Sequence, residues 1–251
     1  MRKTLWILGL AGLLLAAGAL PAHAEPLPIP TLTNIKPATT PQEGVQTLQI
    51  LLGLTVLSIA PALLILTTAF TRIVVVFGFL RNAMGTQQLP PNQVLLGLAL
   101  FLTFAVMAPT IGKINETALQ PYMRGELEQA QAIELAGVPL KEFMLRQTRQ
   151  QDLALMLEIT RSPAPQGPED VSFLAVVPAF AISELKTAFT MGFVLFLPFV
   201  IIDFITASTM MSMGMMMVPP TLISLPFKIL LFVLVDGWHL VVRSLFQSFS
   251  V

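Results

Sequence analysis

The sequence predicts an all-α integral membrane protein, and three observations carry that prediction. Of its 251 residues, 55% are hydrophobic and only 11% are charged, with a mean hydropathy of +0.78. A soluble domain carries about 25% charged residues, so this chain has too few to coat a water-facing surface. Four apolar stretches are long enough to cross a bilayer core, which takes about 20 helical residues. Helices also satisfy every backbone polar group within the segment, as lipid requires. The formal net charge of zero offers no electrostatic case for nucleic-acid binding. The absence of cysteine excludes disulfides, zinc–thiolate sites and thiol chemistry.

The first 24 residues read as a cleaved signal peptide. Arg2 and Lys3 make a basic start, residues 5–20 an apolar core, and Ala22-His23-Ala24 a small-x-small cleavage site ahead of Glu25. The alternative is an uncleaved first span, for which the apolar core is short. Residues 25–44 carry five prolines and little periodicity, an extended linker.

Residues 45–112 read as a first hydrophobic helical hairpin. No residue in 45–71 is charged, and Pro61 is placed to kink that helix. Arg72 and Arg81 then flank the connection to a second uncharged run, 93–112, restarted by Pro90-Pro91-Asn92. The positive-inside rule puts this connection in the cytoplasm, and both mature termini with residues 113–186 on the far side. That stretch holds most of the charges and reads as helical, with one helix over 126–136 and another over 140–161. Pro139 sits near the start of the second. Gln147 breaks the second helix's apolar row, and residues 162–168 are a proline-rich loop. Residues 187–251 form a second hairpin from apolar runs 187–213 and 221–245.

Between Lys186 and Lys228 the only charged residue is Asp203. A carboxylate inside a spanning helix costs about 3 kcal/mol on insertion scales, so it faces a partner or water. With Met217 as the hairpin tip, Asp203 lies 14 residues before it and Lys228 lies 11 after. At about 1.5 Å rise per residue the depths differ by only ~4–5 Å, within a lysine's reach. The pairing fits equally within one copy or between neighbours. Glu184 and Lys186 fall where the third segment emerges and read as an interfacial pair. Asp236-Gly-Trp238-His239 reads as an interfacial anchor.

Six of the 13 methionines, Met210, Met211, Met213, Met215, Met216 and Met217, crowd the tip of the second hairpin. Methionine is unbranched and polarizable, so such a cluster makes an adaptable apolar surface and specifies packing poorly. A soft collar that both seals and yields accounts for it. No His-Glu-x-x-His, Gly-x-Ser-x-Gly, phosphate loop or Cys/His cluster is present, so the sequence points to no catalytic residue, metal or cofactor.

Several ordered blocks carry a family resemblance. They are Thr71-Arg-Ile-Val-Val-Val-Phe-Gly-Phe-Leu-Arg-Asn-Ala-Met-Gly-Thr-Gln-Gln-Leu-Pro-Pro-Asn-Gln93, Pro178-Ala-Phe-Ala-Ile-Ser-Glu-Leu-Lys-Thr-Ala-Phe189, Gly214-Met-Met-Met-Val-Pro-Pro220, Leu225-Pro-Phe-Lys228 and Phe232-Val-Leu-Val-Asp-Gly-Trp238. Together they resemble the FliP family of flagellar biosynthesis proteins over essentially the whole mature chain. The resemblance implies a subunit of a type III protein export gate in the bacterial inner membrane, at the flagellar basal body. It further implies bent hairpins in a helical-stack oligomer: a pentameric core with FliQ- and FliR-type subunits, served by FlhA- and FlhB-type components and passing unfolded substrates. By the same resemblance Met215, Met216 and Met217 form a pore gasket, to which Met210, Met211 and Met213 contribute. Asp203, Lys228 and Glu184 are the corresponding intramembrane charges. A virulence-type (injectisome) export subunit, an ion-coupled secondary transporter and a purely structural scaffold are the alternatives.

Overall fold

Uncharged runs of this length, with their backbone groups closed on themselves, fold as helices, and those among the described residues do so. The computed structural model describes residues 41–86, 89–162, 165, 167, 170–215 and 217–249, without the side chains of 41–47. The signal segment, with Ala22, Ala24 and Glu25, lies outside the described residues. The elements are α1 (Pro41–Thr67), α2 (Phe70–Met84), α3 (Asn92–Ile114), a π-helical turn (Asn115–Leu119), α4 (Gln120–Met123), α5 (Gln129–Gln147), α6 (Gln150–Ile159), α7 (Phe173–Ser212), α8 (Pro220–Leu234) and α9 (Gly237–Gln247). No strand occurs among the described residues. Three helical stretches are long and apolar enough to cross a membrane: Leu48–Thr67, Asn92–Met123 and Phe173–Ser212. The bent pair α8 and α9 makes a fourth when read as one span.

α1 is continuous through Pro61 and starts at Pro41, inside the stretch expected to be linker. Only 6% of its most apolar window is buried, so its leucines need lipid or another protein against them. The main correction concerns α2. The segment from Arg72 to Arg81, expected to be a connection, is a helix with Thr71, Arg72, Ile73, Val76, Phe77, Leu80, Ala83 and Met84 buried. Gly85, in the left-handed conformation, caps it, and the turn to α3 follows. The hairpin is therefore α2 with α3, and α1 precedes it across a break at Thr68 and Ala69.

α2 lies along α7, and their inner faces join α3 and α5 in one core around Ile73, Val76, Phe77, Val106, Phe143 and Phe180. The α2–α7 crossing is tight at Gly192. A Cβ there would come under 3.0 Å from the Cβ and ring of Phe79, whose ring packs edge-on to Phe189 at 5.1 Å. Gly192→Ala is thus expected to destabilise by about 1–3 kcal/mol through overpacking, read as a lower unfolding temperature in detergent. Gly53→Ala, where nothing lies within 4 Å, serves as the control and should not lower it. Equal melting of both variants would remove the close crossing.

Two further boundaries differ from the sequence expectation. Pro139 does not separate helices: α5 passes through it, and the break comes at Thr148 and Arg149. There Thr148 Oγ1 donates back to the Met144 carbonyl and the Arg149 N–H is taken by Ser183 Oγ at 3.0 Å. Side-chain capture of the backbone, not a proline, ends the helix. α7 is one helix of 40 residues, so a boundary at residue 186 falls inside it. Finally, the fourth apolar run is broken by 63° between α8 and α9, at Asp236 with φ 50 and ψ 56.

Candidate functional site

The methionine tip is built by a helix terminator. The Met215 N–H reaches the Met210 carbonyl at 3.0 Å and the Gly214 N–H reaches the Met211 carbonyl at 3.0 Å. With Gly214 at φ 77, this is the six-to-one and five-to-two pattern of a Schellman cap. Pro219 and Pro220 then start α8, where a missing N–H costs nothing. Met211, Met213, Met215 and Met217 are exposed, Met217 by 96%. Met210 is the exception to the gasket set read from sequence. It is buried, on the inner side of α7, because its position in the last full turn faces the protein. Met216 lies outside the described residues. Gly214→Ala, forcing a Cβ into the left-handed region, is expected to cost about 1–2 kcal/mol, and Gly214→Asn clearly less. Thermal unfolding in detergent checks the order of the two.

Below the tip, charge ties three helices together. Lys228 Nζ lies 2.6 Å from Asp203 Oδ2, so the two residues pair within one chain. Nζ also donates to the Ala83 carbonyl at 3.2 Å, in the last turn of α2, where the helix dipole welcomes a cation. Ser224 Oγ donates to the other carboxylate oxygen at 2.6 Å. Lys228 is buried, whereas the Asp203 side chain is about a third exposed. A charge withdrawn from water needs this combination of counter-ion and hydrogen bonds.

The second cluster is centred on Arg72, expected from the sequence to flank a cytoplasmic connection. It is instead almost fully buried, as is Glu184. Arg72 Nε donates to Glu184 Oε2 at 2.9 Å, and Nη2 donates to Glu184 Oε1 and, at 3.3 Å, to Gln147 Oε1. Nη1 donates to the Ser248 carbonyl at 2.7 Å and to Ser248 Oγ at 2.9 Å. The Phe249 ring covers the guanidinium at 3.9 Å. The planar fork thus has all its N–H directions occupied, which a lysine could not reproduce. Glu184 is accordingly not an interfacial partner of Lys186, which is exposed.

Sequence reasoning missed Gln147, Ser248 and Phe249. Gln147 left a trace as the polar break in an apolar row, which here marks a buried hydrogen-bonding position. It missed a third cluster also, in which Arg149 Nε and Nη2 grip Asp152 at 2.8 and 2.9 Å and Ser183 Oγ donates to Asp152 at 2.6 Å. Trp238, expected among headgroups, packs edge-on against Phe232 at 5.4 Å and Phe77 at 6.3 Å and keeps an exposed edge. His239 is exposed. No group of three or more His, Asp or Glu is placed to hold a metal among the described residues.

The profile of the FliP family matches residues 53–245, a span that contains the methionine tip, Arg72, Glu184, Asp203 and Lys228. The chain belongs to the FliP family. Its relatives include the flagellar biosynthetic protein FliP of Bacillus subtilis strain 168, 56% identical over 216 residues, which covers 86% of this chain and 98% of the relative. The protein of the same name from Aquifex aeolicus is 50% identical, covering 82% and 87%. That from Cereibacter sphaeroides is 47% identical over 97% of this chain and 81% of its own length.

Proposed function

We propose that this protein is a subunit of the flagellar protein export gate and that its methionine tips, brought together from several copies, make the gate's compliant seal. The observation that carries the reading is the tip itself: four exposed thioether side chains on a turn fixed by Gly214. Methionine closes on itself in the absence of cargo and conforms to a passing chain of any sequence, whereas a ring of rigid side chains would have one aperture. The Asp203–Lys228–Ala83 tie holds the hairpin stem while the tip adapts.

Around this core the reading includes a pentameric arrangement with FliQ- and FliR-type subunits, and FlhA- and FlhB-type components that supply unfolded substrates and energy. It also places the assembly in the inner membrane at the flagellar basal body, with the charged helical region between α3 and α7 on the periplasmic side. The exposed apolar faces of α1, α3 and α7 support burial against lipid and sister subunits. The protein acts by forming a passage, not by catalysis.

A photocrosslinking residue at Met217 tests this in cells carrying an export substrate stalled by a folded domain. Adducts with the substrate are expected at Met217 and not at Leu234, which is 74% exposed at the other end of α8. Substrate adducts at Leu234 alone, or at neither position, would remove the tip from the passage.

A further inference from the structure

We infer that α9 and the turn after it form a strap, hinged at Val235 and Asp236 and latched by Arg72. The hinge is a non-glycine residue in the left-handed region, Asp236 at φ 50, at the 63° bend that separates α9 from α8. Gly237 lies directly beneath the Phe232 ring, where no Cβ would fit, so the closed bend is closely defined. A few residues at an element boundary are enough to absorb a hinge rotation.

The strap docks by one face only. Gly237, Val241 and Leu245 are buried at four-residue spacing and Phe249 continues the row, while His239 and Arg243 on the opposite side are exposed. A helix of 11 residues does not hold itself together in isolation and depends on what it packs against. It is fastened at both ends, and to the same helix. Near the hinge Trp238 packs on Phe77 of α2. At the far end the Ser248 carbonyl and hydroxyl accept from Arg72 Nη1, and Phe249 lies over the guanidinium.

The latch follows from how Arg72 divides its donors. Nε and Nη2 belong to Glu184 and Gln147 of the body, whereas Nη1 belongs entirely to the strap. Lifting the strap leaves the pair with Glu184 in place but opens Nη1 and the guanidinium face to solvent. Strap position and dryness of the buried ion pair are therefore linked: the strap is the lid of the Arg72 site, and Arg72 is what holds the lid down.

The chain has no cysteine, so single reporters are clean. In the full chain in detergent, Val241→Cys reports the strap and Ala179→Cys the body, both positions being buried. Deleting residues 248–251 is expected to speed N-ethylmaleimide labelling of Val241→Cys by about tenfold or more, as local opening becomes easier, and to leave Ala179→Cys unchanged. Phe249→Ala, which keeps the main-chain latch, should give a smaller rise at Val241→Cys alone and serves where the deletion does not accumulate. Unchanged labelling of Val241→Cys overturns the strap. So does a parallel rise at both reporters, since α9 would then be ordinary core that unfolds with the rest.

Discussion

Replacing Met211, Met213, Met215 and Met217 together by alanine is expected to leave the gate assembled and make the membrane leak small ions, by about tenfold or more over the wild type. Each substitution removes a flexible thioether from a side chain that already faces outward, so little packing is lost within the chain. Assembly should persist because the stem is held elsewhere: Asp203 and Lys228 pair well down α7 and α8, away from the tip. In the proposed seal, what disappears is the volume that closes the passage. A constriction that excludes ions by staying dry fails once it is wide enough to wet. The corresponding leucine replacements separate sealing from yielding. Leucine keeps apolar bulk but is stiffer than methionine, so those variants should stay tight to ions and export poorly, seen as reduced swimming. Ion flux across vesicles containing the purified complex is the direct measurement. An assembled alanine variant that remains impermeable would end the seal.

Arg72→Ala should be the most damaging single substitution at the level of folding. Glu184 is 0% exposed, and removing its cation strands a buried carboxylate together with the Gln147 and Ser248 acceptors. Breaking a buried pair this way costs about 3–5 kcal/mol, a large part of the roughly 5–15 kcal/mol that holds a domain together. The variant should fail to accumulate. Arg72→Met combined with Glu184→Met removes both charges at similar volume and should recover much of the loss, as such replacements commonly do. A double-mutant cycle on thermal unfolding in detergent then shows a large coupling. By contrast, Lys113 and Glu142 form an ion pair at 3.4 Å with both side chains about half exposed. Its removal is expected to change stability by less than about 1 kcal/mol. If Arg72→Ala accumulated and melted like the wild type, the guanidinium would not organise this region.

The two clusters differ in how visible they are before folding. Asp203 stands alone in a long uncharged stretch and has a cation at matching depth on the next segment, so counting residues from the tip matched the two in depth; the fold decided that they pair within one chain. Arg72 offers no such cue. An arginine that ends an apolar run looks the same whether it sits at a membrane surface or lies buried, and its partner Glu184 is 112 residues away. Pro139 misled in the opposite direction. A proline in a helical pattern ends the helix by local rules, yet α5 continues through it and stops where side chains take over the backbone bonds. The bend falls on Asp236-Gly237, a polar break in the apolar run that suits a turn as readily as the interfacial anchor expected there.

The helical class, the four apolar runs and the methionine tip with its glycine were set by the sequence alone. They depend on composition and on spacing along the chain, and transfer from water to an apolar medium sums over neighbouring residues. The tertiary structure alone decided that Arg72 is interior, that Met210 turns away from its neighbours, and that the last helix folds back at an elbow. Each of these rests on a contact between segments far apart in the chain. The free energy of a buried charge is determined by what folding places beside it.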